Sequence, residues 1–184
     1  MNQDVLSVFT EHPIAWAVLV IALLLLSYGA FSIKNEKINF LKTAIPRNLG
    51  PLDFITPSWW TPILENANEI KFKRADTNYD WTAYFHFVRD KKLIMDELLK
   101  TLEIEPDEKS DKQEGETGLW KFSRIETTGT RSFEDRVHLD AIIFSNSSGE
   151  QFLCYSLSSI LNGCVEGPFF DEVIEQMKKG LRFI

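Results

Sequence analysis

A run of twenty residues without a charged side chain, residues 14–33, constrains the fold of this chain more than any other feature. At a rise of about 1.5 Å per residue, a helix of this length spans the roughly 30 Å hydrocarbon core of a bilayer. Trp16 and Tyr28 lie near the two ends of the run, where amphipathic aromatic rings meet lipid headgroups in membrane proteins. The sequence therefore predicts a transmembrane helix over residues 13–33, preceded by a short tail over 1–12.

Charged residues on the two sides of this run predict the orientation of the chain. Basic residues at Lys34 and Lys37 follow the run, whereas residues 1–12 contain no lysine or arginine. Because basic flanks favour the cytoplasmic side, we expect the N-terminus outside and the following domain on the cytoplasmic side. A cleaved secretory signal is the competing interpretation, but such signals open with a basic segment. On the spanning interpretation the membrane-interface anchors are Trp16, Tyr28, Lys34 and Lys37.

The overall charge limits the partners of the remaining chain. The sequence has 20 Lys plus Arg against 27 Asp plus Glu, which gives a formal net charge of -7. Surfaces that bind nucleic acid neutralise phosphates and need the opposite sign. We therefore expect no nucleic-acid partner, and on the spanning interpretation the partners are a lipid bilayer and a membrane protein complex.

Alternating and helical hydrophobic patterns over residues 69–184 predict a soluble α+β domain. Its expected order is ββαβββα, with an antiparallel sheet of about five strands and two helices that cover it. Residues 105–118 hold six acids, two lysines and no apolar residue, so a mobile acidic loop is expected there. This element order is similar to that of longin-like and profilin-like domains, whose five-stranded sheets commonly bind proteins. The expected strands are 70–75, 81–88, 119–127, 136–146 and 151–158, and the expected helices are 91–103 and 169–183.

Residues 34–68 are expected to form a juxtamembrane segment and a linker rich in proline and tryptophan. Neighbouring prolines and large aromatic residues combine apolar area with little conformational freedom to lose on binding, as in docking segments. Phe54, Trp59 and Trp60 are therefore candidate docking residues. Three interpretations stay open for the tryptophans: they pack on the sheet of their own domain, lie among lipid headgroups, or fill a pocket on a partner.

Residues with catalytic or metal-binding chemistry are sparse. The sequence has none of the common nucleophile, phosphate-loop or zinc-helix motifs, so no catalytic role, cofactor or metal is assigned. His86, His138 and Asp140 would form a site only if their strands were neighbours. Cys154 and Cys164 have no metal-ligand spacing, and they are either buried thiols or, in an oxidising compartment, one disulfide bridge.

These observations favour a single-pass membrane protein that acts by protein–protein contacts as an accessory, assembly or scaffold subunit of a membrane complex. The alternative is a membrane-tethered enzyme or small-ligand-binding domain with a pocket between sheet and helices, with His86, His138 or Asp140 at its mouth. In a third interpretation the membrane helix is itself the interaction surface.

Overall fold

The computed structural model of the chain describes residues 13–74, 80–131, 135–160 and 166–183. The expected tail at 1–12 and Cys164 lie outside these ranges. The chain divides after Thr43 into two compact units, which are described separately. The first contains helix α1, Pro13–Thr43. The second contains β1 Ile45–Leu49, β2 Leu52–Thr56, β3 Trp60–Glu65, β4 Glu69–Arg74, β5 Trp81–Arg89, α2 Met95–Thr101, β6 Ile104–Pro106, β7 Asp111–Thr117, β8 Trp120–Arg131, β9 Arg136–Ser145, β10 Glu150–Ser159 and α3 Gly167–Leu181.

Helix α1 does not end with the apolar run. It continues without a break through Lys34 and Lys42 to Thr43, and apolar side chains such as Leu26 are 70% exposed. Over the described residues, no helix combines the length and the apolar character that crossing a membrane requires. The prediction of a membrane-spanning helix over 13–33 is therefore wrong, and so is the single-pass topology with a cytoplasmic domain. A lipid bilayer as partner has no support.

Eight antiparallel strands form the main sheet of the second unit. Its strand order is β3-β4-β5-β10-β9-β8-β6, and β7 pairs with β8 beside β6. Strands β1 and β2 form a separate two-stranded sheet. Strand β10 pairs with β5 on one side and with β9 on the other, so it joins the two halves of the main sheet. The predicted fold class, an α+β domain with about five strands behind a transmembrane helix, is therefore wrong, because the unit consists mostly of sheet.

One face of the sheet packs against α3 and β2. Helix α3 presents apolar residues at helical spacing to this face, where the Phe85 and Phe170 ring centroids are 6.0 Å apart. Cys154 Sγ contacts Met177 Sδ at 3.7 Å in the same layer. The largest core of the unit lies here. Its fully buried aromatic side chains are Trp60, Trp120, Phe72, Phe85, Phe144, Phe152 and Phe170.

The other face of the sheet is covered only in part. The short helix α2 places Leu99 beside Ile104 of β6, and both pack on β8, β9 and β10. The central strands are therefore buried on both faces, as residues 139–144 of β9 and 151–156 of β10 are. Strands β4 and β5 instead alternate between buried and partly exposed residues, so this side of both strands is only partly buried.

Two segments without a strand-like hydrophobic pattern contain paired strands in the structure. The first part of the expected linker continues α1, and the prolines of the second part fall at strand ends, turns and the edge strand β3. Proline is tolerated at these positions because no ladder hydrogen bond is lost there. The expected loop at 105–118 contains β6 and β7 at the opposite edge of the sheet. Residues 111–114 of β7 need no apolar side chains, because their backbone pairs with β8 while their side chains remain exposed. Strand β6 contributes one buried apolar residue, Ile104.

Candidate functional site

The residues expected at a membrane interface all lie on helix α1. Tyr28 and Lys34 are exposed, and Trp16 is half-buried. Lys37 lies in the same helix, and its side chain is outside the described part of the chain.

Two of the three candidate docking residues lie inside the second unit. Phe54 and Trp60 are 4% and 1% exposed. The Phe54 ring lies 5.3 Å from that of Phe85, and the Trp60 ring lies 4.6 Å from that of Trp81. Trp59 is half-buried, and its ring meets Phe169 edge-on at 4.9 Å. The structure thus places both tryptophans against their own domain.

A buried carboxylate holds these two indoles in place. Glu166 is 2% exposed and immediately precedes α3. Its Oε2 accepts hydrogen bonds from Trp59 Nε1 at 3.1 Å and Trp60 Nε1 at 2.8 Å, and its Oε1 accepts one from Arg74 Nη1 at 2.8 Å. Three donors satisfy the carboxylate, so this is a structural clamp that fixes β3 and β4 against α3. Sequence reasoning missed Glu166 because the indoles lie more than one hundred residues before it.

The histidine and aspartate candidates do not converge. His86 pairs with Leu153, which pairs with Ile143, five residues beyond His138. Since strand residues alternate between faces, His86 lies on the opposite face of the sheet from His138 and Asp140. No group of three or more potential metal ligands occurs within the described ranges. The condition under which His86, His138 and Asp140 would form one site is therefore not met in the described structure.

His138 and Asp140 each have a polar partner on the neighbouring strand β8. Asp140 is 5% exposed, and it accepts hydrogen bonds from Arg124 Nε at 2.8 Å and Nη2 at 2.5 Å. Arg124 also pairs with Asp171 of α3. Burial raises the pKa of Asp140, and the Arg124 hydrogen bonds oppose this shift. His138 Nε2 lies 3.2 Å from Glu126 Oε1. The Arg124–Asp171 pair attaches α3 to the sheet, whereas the Asp140–Arg124 and His138–Glu126 contacts join β9 to β8.

Cys154 is a free thiol buried in the layer beneath α3. Burial raises its pKa, so the thiol stays protonated and unreactive at neutral pH. The alternative of a bridge to Cys164 falls outside the described residues.

A groove of about 830 Å³ lies between the segment that leads into α2 and strands β7, β8 and β9. Its walls include Leu93 and Met95 on one side and Phe122 and Ser123 on the other. Lysines and acids are mixed around its rim. None of His86, His138 and Asp140 lines the groove. The three residues that the alternative interpretation places at the mouth of a pocket are therefore not at this one.

The uncovered part of the second face forms the other candidate surface, which we call the open face. Register places its side chains next to one another, because Lys71 pairs with Tyr84, Lys73 with Thr82, and Thr82 with Leu157. All are half-buried except Lys73, which is exposed. The open face consists of Glu69, Lys71, Lys73, Thr82, Tyr84, His86 and Leu157.

Tyr84 is the centre of the open face. Its ring lies 5.2 Å from that of Tyr155 and 5.8 Å from that of His86, and its hydroxyl donates to Glu69 Oε1 at 2.7 Å. Burial, together with Glu69, raises the pKa of Tyr84 well above its usual range, and burial raises that of Tyr155. Both phenols are therefore neutral at physiological pH. The period-two spacing of Thr82, Tyr84 and His86 within residues 81–88 was the signal that could have identified this surface from sequence.

Comparisons with known proteins give only distant likenesses. No protein-family model matches the chain, and no curated protein matches it. The Ran-binding protein Mog1p of Saccharomyces cerevisiae is 7% identical with a TM-score of 0.45, covering 74% of this chain and 94% of its own. PA94 of Pseudomonas aeruginosa, a protein of unknown function, is 10% identical with a TM-score of 0.39, covering 72% and 94%. LpqN of Mycobacterium tuberculosis, which is involved in cell envelope biogenesis, is 12% identical with a TM-score of 0.39, covering 74% and 87%. None of these likenesses is close enough to assign a fold family or a function.

Proposed function

We propose that the unit formed by residues 44–184 acts through protein–protein contacts, as an accessory, assembly or scaffold subunit, and that the open face is its contact surface. The observation that carries the proposal is the half-buried aromatic cluster around Tyr84, which lies at the margin of the core beneath α2, where residues 82, 84 and 86 of β5 stay partly exposed.

The composition of the open face fits a protein contact surface. Tyrosine is enriched in interfaces because its ring gives a large contact area and its hydroxyl makes a directed hydrogen bond. Tyr84 is already held in place by Glu69 and by Tyr155, so little side-chain entropy is lost when a partner covers it. Leu157 adds apolar area beside it. Such preorganised aromatic residues are the usual centres of binding energy.

Site-specific photo-crosslinking tests this proposal. A photoreactive amino acid is placed at Thr82 on the open face in the full chain, which is expressed in the cells that produce it. A matched control carries it at Glu175, which is exposed on α3. We expect a discrete adduct heavier than the 21.2 kDa chain from position 82 and not from position 175. Absence of any adduct from Thr82, His86 and Leu157 alike, in a folded chain, would refute the proposal.

The groove supports a second candidate, the binding of a small ligand between sheet and helix. Its volume of about 830 Å³ lies within the ordinary range of ligand sites, roughly 300–1,000 Å³. We expect Ser123→Trp to fill the groove and to abolish stabilisation of the chain by any compound found in a thermal-shift screen. Ser147→Trp, on an exposed turn, serves as the control. A compound that stabilises both variants equally does not bind in the groove.

A further inference from the structure

The two edges of the main sheet are poorly suited to receive another strand. Strand β3 at one edge contains Pro62, and its pairing with β4 shifts register between Pro62 and Leu64. Strand β7 at the other edge carries the exposed acids Asp111, Glu114 and Glu116. Proline, register irregularities and charges on edge strands all oppose strand addition. A partner of the second unit is therefore better placed on a face of the sheet than at its edges.

Charge on the open face has the opposite sign to charge on the chain as a whole. The formal net charge is -7, yet the open face presents the ammonium groups of Lys71 and Lys73 side by side on β4. Glu69 is the neighbouring acid on that face of β4, and its Oε1 accepts the hydrogen bond of Tyr84. Strand β5 contributes Thr82, Tyr84 and His86 to this surface and no carboxylate.

Two lysines elsewhere in the second unit form ion pairs on the surface. Lys178 Nζ lies 2.7 Å from Glu175 Oε1, and Lys121 Nζ lies 3.9 Å from Glu116 Oε1. Neither Lys71 nor Lys73 forms an ion pair with any residue that the structure describes. Two unpaired ammonium groups beside an aromatic cluster form a surface complementary to carboxylates that alternate with apolar side chains.

We infer that the open face binds an acidic segment of a partner protein. This inference rests on the proposed function and specifies its partner. Lys71 and Lys73 pair with carboxylates of the segment, while Tyr84 and Leu157 contact its apolar side chains. The charge pairs steer association and select against basic partners, and the aromatic contact supplies most of the binding energy.

Fluorescence anisotropy with defined peptides tests this inference on the full chain. The probe is a short fluorescein-labelled peptide of alternating glutamate and leucine, and two matched probes carry glutamine or lysine in place of every glutamate. We expect the glutamate peptide to bind, the glutamine peptide to bind about tenfold more weakly and the lysine peptide not to bind. Added salt should weaken binding of the glutamate peptide, because these charges are exposed to solvent.

Charge reversal locates the binding surface. The double variant Lys71→Glu, Lys73→Glu should weaken binding of the glutamate peptide at least about tenfold. The control Lys109→Glu, Lys179→Glu makes the same change of net charge at exposed positions off the open face, and it should bind as the wild type does. Because Lys71 is half-buried, the neutral double variant Lys71→Gln, Lys73→Gln is measured as well. Circular dichroism confirms that each variant is folded.

The possible results separate the inference from the proposed function. Equal binding of all three peptides, or equal losses in the open-face and control variants, overturns the inference. If no peptide binds while crosslinking from Thr82 persists, the inference is wrong and the proposed function stands. If neither peptide binding nor crosslinking is observed, both are wrong.

Discussion

Replacing Glu166 tests whether the clamp beneath α3 holds the second unit together. Glu166→Ala removes both carboxylate oxygens and with them the acceptors for Trp59, Trp60 and Arg74. The Trp60 N–H is the most deeply buried of these donors, since its side chain is 1% exposed. The variant therefore leaves a buried N–H without its acceptor and deprives the Arg74 guanidinium of its buried counter-charge.

The magnitude follows from the burial of each partner. A buried donor that loses its acceptor costs about 1–3 kcal/mol, and removing one member of a buried ion pair costs about 3–5 kcal/mol. The side chain of Arg74 is 22% exposed and Trp59 is half-buried, so water recovers part of both losses. We therefore expect Glu166→Ala to lower the free energy of unfolding by about 3 kcal/mol.

A graded series makes the interpretation specific. Glu166→Gln keeps one oxygen for the indoles and loses the charge, so we expect it to lower the free energy of unfolding by about 1–2 kcal/mol. Glu175→Ala removes an exposed acid of α3 that pairs with Lys178, and it should change stability by less than about 0.5 kcal/mol. Urea unfolding followed by tryptophan fluorescence measures all three variants. A cost below about 1 kcal/mol for Glu166→Ala, or an equal cost for Ala and Gln, would refute the clamp.

Three further predictions concern single residues. Trp60→Ala should cost about 3–5 kcal/mol in urea unfolding, because the ring fills the core, and a loss below about 1 kcal/mol would contradict its placement there. Tyr84 has a raised pKa in the folded state, so its contribution to stability is complete below about pH 10, the ordinary pKa of tyrosine, and is lost as the pH rises further. The free energy of unfolding should therefore fall less steeply with pH above that value in Tyr84→Phe than in the wild type. Urea unfolding at a series of pH values measures this, and the same dependence on pH in both proteins would contradict it. Gly129→Ala should detach β6 from β8, because the added Cβ would lie 2.6 Å from the Glu105 carbonyl oxygen. Faster amide hydrogen exchange at Glu105 would report this separation, and unchanged exchange would show that the strand adjusts.

The strands that alternate clearly in sequence coincide with strands of the structure, namely β4, β5, β8, β9 and β10. The fold class is nevertheless wrong, because five further strands carry no such pattern. Strands β1 and β3 contain Pro46 and Pro62, which argue against strands in general but not against edges and short hairpins. Strand β7 is exposed along most of its length, residues 111–114 and 116, so no hydrophobic period marks it. Its position is set by backbone pairing with β8, which only the folded sheet reveals.

The candidate sites show the same limit at the level of single residues. The aromatic residues at 59–60 stand out in the sequence, but nothing nearby in sequence indicates that Glu166 would accept hydrogen bonds from both. Whether His86 and His138 share a face depends on how β5, β10 and β9 are registered, which cannot be read from one strand. The docking role of Phe54, Trp59 and Trp60 stays a prediction.

The position of β10 between β5 and β9 has a consequence for how the chain reaches its fold. Strands β3 to β5 form one group of neighbours along the chain, and strands β6 to β9 form another. Both groups are synthesised before β10, residues 150–159, which joins them. Until then β5 and β9 each present an unpaired edge, which makes a partly synthesised chain prone to aggregation. Joining the halves closes a long loop, so the step is expected to limit the folding rate. Molecular chaperones would therefore be needed most in the interval before β10 leaves the ribosome.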